Sequence, residues 1–230
     1  MRIHAFICTR TRDLSATTQK LVSYLSRCRT EVKLIVGSDS IFKAYTTALE
    51  KADPDPEDII ILCHDDIEIL LSEGHFLQVL ITSLLDPKTG FIGPAGTTEL
   101  TSRGVWWDQE QWSKGKHRGF VIHGDNLSTG SNPTYYGAYG PVAVLDGLFL
   151  AAKARTLNKI DLNKPSYFDG DWDFYDIHYT YAAKRAGLTN KAAPILLMHN
   201  SSGELVGRDS WHKNREAFVT KNQANFPITI

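Results

Sequence analysis

No hydrophobic run in the 230-residue chain approaches the length of a membrane span, so no helical anchor is expected. The N-terminus enters a strand pattern directly, without the layout of a secretory leader. Net charge is also scarce. The 25 Lys and Arg residues against 26 Asp and Glu leave a formal −1, too little for broad capture of nucleic acid or of an acidic membrane surface. Cysteine is limited to Cys8, Cys28 and Cys63, an odd and scattered set that excludes a disulfide framework and favours a reducing, cytoplasmic setting. Sequons at Asn126 and Asn200 therefore carry little weight. With no internal repeat and 42% hydrophobic residues, the length suits one domain with its own core.

What is present is a run of strands and helices in alternation. Residues 2–8 alternate toward a first strand, and Thr9-Arg10-Thr11-Arg12-Asp13 forms a polar, basic turn at its carboxyl end, a place suited to a nucleotide. Apolar residues recur at helical spacing over 14–28, with Ser15 or Asp13 available as N-cap. A second strand follows at 31–36, then a helix over 41–52 that stops at Asp53-Pro54-Asp55-Pro56. Residues 59–69 carry the central strand, residues 76–85 a third helix, and 90–96 a short strand running into a loop. The first 96 residues thus read as a βαβαβαβ half whose short links imply right-handed parallel units.

Ile59-Ile60-Ile61-Leu62-Cys63 is apolar and β-branched enough to be buried on both faces. His64, Asp65 and Asp66 follow at its carboxyl end, where open α/β sheets bind ligands and where carboxylates suit a divalent cation. Strand alternation would put His64, Asp66 and Glu68 on one face and Asp65 on the other. A solvated turn with capping acids is the bland alternative.

Residues 97–139 change character, being rich in Gly, Ser and aromatic residues. Trp106, Trp107 and Trp112 lie beside Lys114, Lys116, His117 and Arg118. Such a long, weakly periodic stretch reads as a functional loop region whose rings and cations suit sugars and phosphates, unless the tryptophans plug the sheet's far edge. Residues 141–152 resume an apolar strand pattern broken at Asp146-Gly147, where glycine permits close backbone approach and would aim Asp146 at the same cleft. Asp171, Asp173 and Asp176 cluster at the start of a helix running to Ala186. A last strand delivers His199, and helical spacing returns over 210–219.

Taken together, CHDDIEI, GPAGTTEL followed by GVWW, VAVLDGLFLAA, and FDGDWDFYDIHYTYAAKRAGL with LLMHNSSG resemble the family-2-like glycosyltransferases of the GT-A fold, in particular the bacterial and phage-type glycosyltransferase-like group. The resemblance spans most of the chain in the correct order. It implies an α/β domain with a Rossmann-type, mixed but mainly parallel central sheet flanked by helices. Residues 1–96 would form a nucleotide-binding half and 97–230 an acceptor-side half. It further implies transfer of a sugar from a nucleoside-diphosphate donor, UDP ranked ahead of GDP, to a glycan or other small acceptor, with Mn²⁺ or Mg²⁺ on the diphosphate.

On the same resemblance, Asp66 would be a metal ligand, joined by His199 and by His64, which replaces the usual first acid. Asp65 would serve the ribose or the metal shell. Thr9, Arg10 and Asp39 would hold base and ribose, and Arg10 and Lys43 the diphosphate. Asp176, and after it Asp173, would take the acceptor's proton, with Trp106, Trp107, Asp146, Gly147 and Asp171 on the acceptor side. His178 also stands where the family has a carboxylate. Two rival readings use the same residues: a nucleotide- or glycan-binding protein that keeps the fold without turnover, and a metal-dependent phosphoesterase or nucleotidyltransferase.

Overall fold

The computed structural model describes residues 1–124, 130–200 and 209–230; the Asn126 sequon and Ser201-Ser202-Gly203 lie outside the described residues. In chain order the first elements are β1 (Ile3–Thr9), α1 (Ala16–Arg27), β2 (Glu31–Val36), α2 (Ile41–Ala52), β3 (Ile59–Cys63), β4 (Ile67–Ile69), α3 (Glu73–Ser83) and β5 (Thr89–Gly93). There follow β6 (Ala95–Thr97), β7 (Glu99–Leu100), α4 (Gln109–Ser113), β8 (His117–His123), β9 (Asn132–Gly137), β10 (Gly140–Val142), β11 (Val144–Leu145), β12 (Phe149–Lys153) and α5 (Ala154–Leu157). The chain closes with α6 (Tyr175–Arg185), β13 (Thr189–Ala192), β14 (Leu197–His199), α7 (Asp209–Lys221) and β15 (Ile228–Thr229).

Local chemistry accounts for the helix starts. Ser15 caps α1 by accepting from the Thr18 backbone N–H, and Ser40 caps α2 by accepting from that of Lys43. Every residue of β1 and β3 is buried, as expected of strands covered on both faces. Each fully buried Ile or Leu there contributes about 1.5–3 kcal/mol of transfer free energy.

The main sheet has the order β10-β13-β5-β12-β3-β1-β2. Strands β1, β2, β3, β5 and β13 run one way, while β12 and β10 oppose them, so the sheet is mixed and mainly parallel. The sequence-order picture of the first half needs one change. β5 does not lie beside β3, because β12 inserts antiparallel between them, with Phe149 opposite Cys63 and Ala151 opposite Ile92. That insertion positions the site, since it sets the 146–148 turn alongside the carboxyl end of β3.

A second sheet, β11-β6-β8-β14-β4 with β9 on β8, is built largely from the stretch expected to be loop. Residues 97–139 contain β7, α4, β8 and β9. The reason is visible in β8, whose HRGFVIH alternates between buried and half-exposed positions around buried His117, Gly119 and Val121. Among the described residues no helix is long and apolar enough to cross a membrane. The three cysteines are free and buried, as expected.

Candidate active site

β3 ends at Cys63, and the chain turns through His64, Asp65 and Asp66 before entering β4. The turn breaks the strand alternation expected through Glu68. Glu68 lies in the other sheet, 3.4 Å from Lys20, so it does not share the face of His64 and Asp66. Two partners define the turn. The His64 backbone N–H donates to the Leu148 carbonyl at 3.1 Å, and the Asn200 N–H donates to the Asp66 carbonyl at 2.8 Å. The second bond continues the antiparallel pairing of β14 with β4, in which His199 stands opposite Ile67. Sheet register therefore carries a residue more than a hundred positions away to the side of Asp66.

The side chains then converge. His199 Nε2 lies 3.3 Å from Asp66 Oδ2 and His64 Nδ1 lies 3.7 Å from Asp66 Oδ1. One ligand atom from each of the three residues falls within 4.8 Å of the others. Burial pushes the Asp66 carboxyl upward, but the His199 hydrogen bond and the nearby His64 and His199 outweigh it and hold the acid below its ordinary range. Asp66 Oδ1 and His199 Nδ1 are buried and lack a hydrogen-bond partner among the described residues. A donor set of two imidazoles and one ionised carboxylate, with an orphaned carboxylate oxygen, fits a borderline divalent cation.

Beside this cluster, Gly147 holds the start of α6. Its N–H donates to Asp176 Oδ2 at 3.0 Å, and its carbonyl accepts from the Tyr175 hydroxyl at 2.8 Å. A Cβ at position 147 would stand 2.6 Å from that hydroxyl, so only glycine fits without displacement. Burial, and then the neighbouring Asp146, push the Asp176 carboxyl up to about 7. Burial likewise pushes Asp146 up to about 6. Asp146 also accepts from the Leu148 N–H at 3.2 Å, which closes the turn.

Asp173 is buried and its carboxylate accepts from Ser210 Oγ, while Asn214 grips the Asp173 and Gly170 carbonyls at 3.0 Å. Those contacts tie the 170–173 loop to α7. Asp171 pairs with Lys164 at 3.2 Å, and its carbonyl accepts from the Ile41 N–H, which puts it at the start of α2. Trp172 joins it there by donating Nε1–H to the Asp39 carbonyl at 3.1 Å. Thr9 is buried at the end of β1 and its carbonyl accepts from Gly37 N–H, linking the mouths of β1 and β2; Arg10, Asp39 and Lys43 are exposed around that mouth. Asp65 is half-buried, and its carbonyl accepts from Thr18 Oγ1 at 2.9 Å.

The tryptophans divide differently from the expectation. Trp106 is only 3% exposed and packs edge-on against Trp107, His117 and Tyr136, so its ring has no face to offer a sugar. Trp107 is half-buried against Trp211. His178 is half-buried and packs among Phe42, Phe168 and Tyr179.

Residues 16–221 match the profile of the glycosyltransferase-like family. The chain belongs to that family. The enzyme class expected from the sequence is therefore the family's own. Among solved structures, GalNAc-T7 with UDP, GalNAc and Mn²⁺ shares the fold at a TM-score of 0.55 and 12% identity over 96% of this chain and 48% of that one, so the present chain spans about half that protein. A197 from STIV aligns at a TM-score of 0.43 and 14% identity, covering 87% of this chain and 83% of that one. A glycosyltransferase involved in glycosylation of the major capsid of PBCV-1 aligns at 0.39 and 10% identity, covering 95% and 99%. No curated protein matches.

Sequence reasoning on this glycosyltransferase-family chain passed over Tyr175 and His123. Tyr175 adjoins Asp176 at the helix start, and its position next to a candidate base is the one signal that pointed to it. His123 ends β8 in register with His199, their rings 5.6 Å apart, and burial followed by that neighbour lowers its pKa. Only the sheet pairing reveals it.

Proposed function

We propose that the chain is a divalent-cation-dependent glycosyltransferase that moves a sugar from a nucleoside-diphosphate donor, UDP ahead of GDP, to a glycan or other small acceptor hydroxyl. The observation that carries this reading is the convergence of His64, Asp66 and His199 at the carboxyl end of β3, with Asp176 attached to the adjoining turn. Those three residues would hold the cation, Mn²⁺ ahead of Mg²⁺ because imidazole donors suit it better. Bound there, the cation would stabilise negative charge on the departing diphosphate.

Asp176 is the proposed general base. A carboxyl raised to about 7 is poised to accept an acceptor hydroxyl's proton near neutral pH, and the Gly147 N–H orients it. Asp173, buried and engaged by Ser210, is better suited to fixing the loop than to moving a proton. Residues 1–96 would contribute the donor site, with Thr9 and Asp39 at the base and ribose, Arg10 and Lys43 at the diphosphate, and Asp65 at the ribose or metal shell. Residues 97–230 would contribute the acceptor side, with Asp146, Gly147 and Trp107 among its residues. Asp171 sits by α2 and fits the donor end better. Three buried free thiols suit a reducing, cytoplasmic setting.

Calorimetric titration with UDP, GDP and their sugars, with and without Mn²⁺, tests the reading. Nucleotide binding that requires Mn²⁺ and disappears in Asp66→Asn is expected, together with turnover that chelation abolishes. Absence of nucleotide binding under every divalent cation would overturn it.

A further inference from the structure

We propose that Tyr175 is a positioning residue that sets the tautomer of His64, so that Nδ1 carries the lone pair with which this ring ligates a divalent cation. The inference rests on the metal-site reading above and deepens it.

A phenol has one proton to give. The Tyr175 oxygen lies 2.8 Å from the Gly147 carbonyl and 3.0 Å from His64 Nε2. A carbonyl can only accept, so the hydroxyl proton goes to Gly147. The remaining contact must then run from the ring to the phenol, with Nε2–H as donor. Tyr175 is 4% exposed, which leaves little room for water to exchange with either partner. At the other end of the residue, the His64 N–H is bonded to the Leu148 carbonyl, so backbone and ring are both fixed.

In a neutral imidazole one nitrogen donates and the other accepts, and the bond made by the first decides the role of the second. With the proton on Nε2, Nδ1 presents its lone pair 3.7 Å from Asp66 Oδ1, too far for a hydrogen bond. The relay from His64 to Tyr175 to the Gly147 carbonyl is the outer-shell arrangement that metal-binding histidines commonly have. Because the Gly147 N–H also holds Asp176, one residue aligns the proposed base and the proposed ligand through its two flanking peptide groups. A histidine where the family has its usual first acid thus becomes a third metal donor.

The test uses the full chain. The ¹⁵N shifts of the His64 ring in the metal-free wild type should report the Nε2–H tautomer, a readout that needs no substitution and no activity. Tyr175→Phe should move that population toward Nδ1–H and weaken Mn²⁺ binding, measured by calorimetry with and without UDP, by roughly tenfold or more. His64→Ala should weaken Mn²⁺ at least as much and remove one nitrogen coupling from the Mn²⁺ spin-echo spectrum. An Nδ1–H tautomer in the wild type, or Mn²⁺ affinity unchanged in both variants while Asp66→Asn abolishes it, overturns the inference and leaves the metal site standing. A wild type that binds no Mn²⁺ under either condition overturns both.

Discussion

Asp176→Asn should make the metal-free protein more stable while removing its activity, and the gain should depend on pH. The folded value of Asp176 lies near 7 against an ordinary value of 3.8, because burial and the neighbouring Asp146 disfavour its charge. The folded state therefore holds the proton more tightly than the unfolded chain does. The stabilisation linked to that proton is complete below the unfolded value and is lost as pH rises through the folded one. A rise from 3.8 to about 7 corresponds to about 4 kcal/mol as an upper limit. Asparagine keeps the shape and an acceptor for the Gly147 N–H without a charge to bury. Urea unfolding of both proteins should show near-equal stability at about pH 4 and an advantage for the variant that grows to a few kcal/mol by about pH 8. Wild-type turnover should climb with pH through about 7, and the variant should lie roughly 10²–10⁴-fold below the wild type's high-pH rate, the gap narrowing as pH falls below 7. A stability difference that stays flat across the range would refute the raised carboxyl and the role of base poised near neutrality.

Gly147→Ala would place a methyl group 2.6 Å from the Tyr175 hydroxyl and 3.0 Å from Asp176 Cβ. It should cost about 1–3 kcal/mol in thermal or urea unfolding and depress kcat more than KM for the donor. Trp106→Ala should destabilise the protein by about 3–5 kcal/mol, because its buried ring anchors the aromatic cluster. At a temperature where the variant stays folded, its KM for acceptor should be unchanged; a selective rise in KM would restore Trp106 to the acceptor site. Ser210→Ala should loosen the 170–173 loop by removing the donor to the Asp173 carboxylate, seen as faster amide exchange there with less than tenfold loss of turnover.

Much of the fold over residues 1–96 was legible because its signals are local. Apolar β-branched runs gave β1 and β3 their buried character, and serines at the right offsets started α1 and α2. The acids after Cys63 were readable as a strand end for the same reason, since an abrupt change from apolar to charged residues needs no knowledge of distant chain. The 97–139 stretch misled because its strands carry glycine and proline, Gly119 in β8 and Pro133 and Gly137 in β9, which weakens the apolar period-two signal even though β8 retains its alternation of burial.

The sequence by itself determined the fold class, the family and the set of candidate groups, because periodicity, turn chemistry and ordered motifs survive without coordinates. Which of those groups meet was decided only by tertiary pairing. The antiparallel insertion of β12 beside β3 brings Gly147 to His64, Tyr175 and Asp176, and the β4–β14 register brings His199 to Asp66. Both are contacts between segments far apart in the chain, and strand register between such segments is set by the whole core and its buried hydrogen bonds, not by any local run of residues. The same packing buried Trp106, set half-buried His178 among aromatic rings and made Tyr175 the link between Gly147 and the histidine at the strand end.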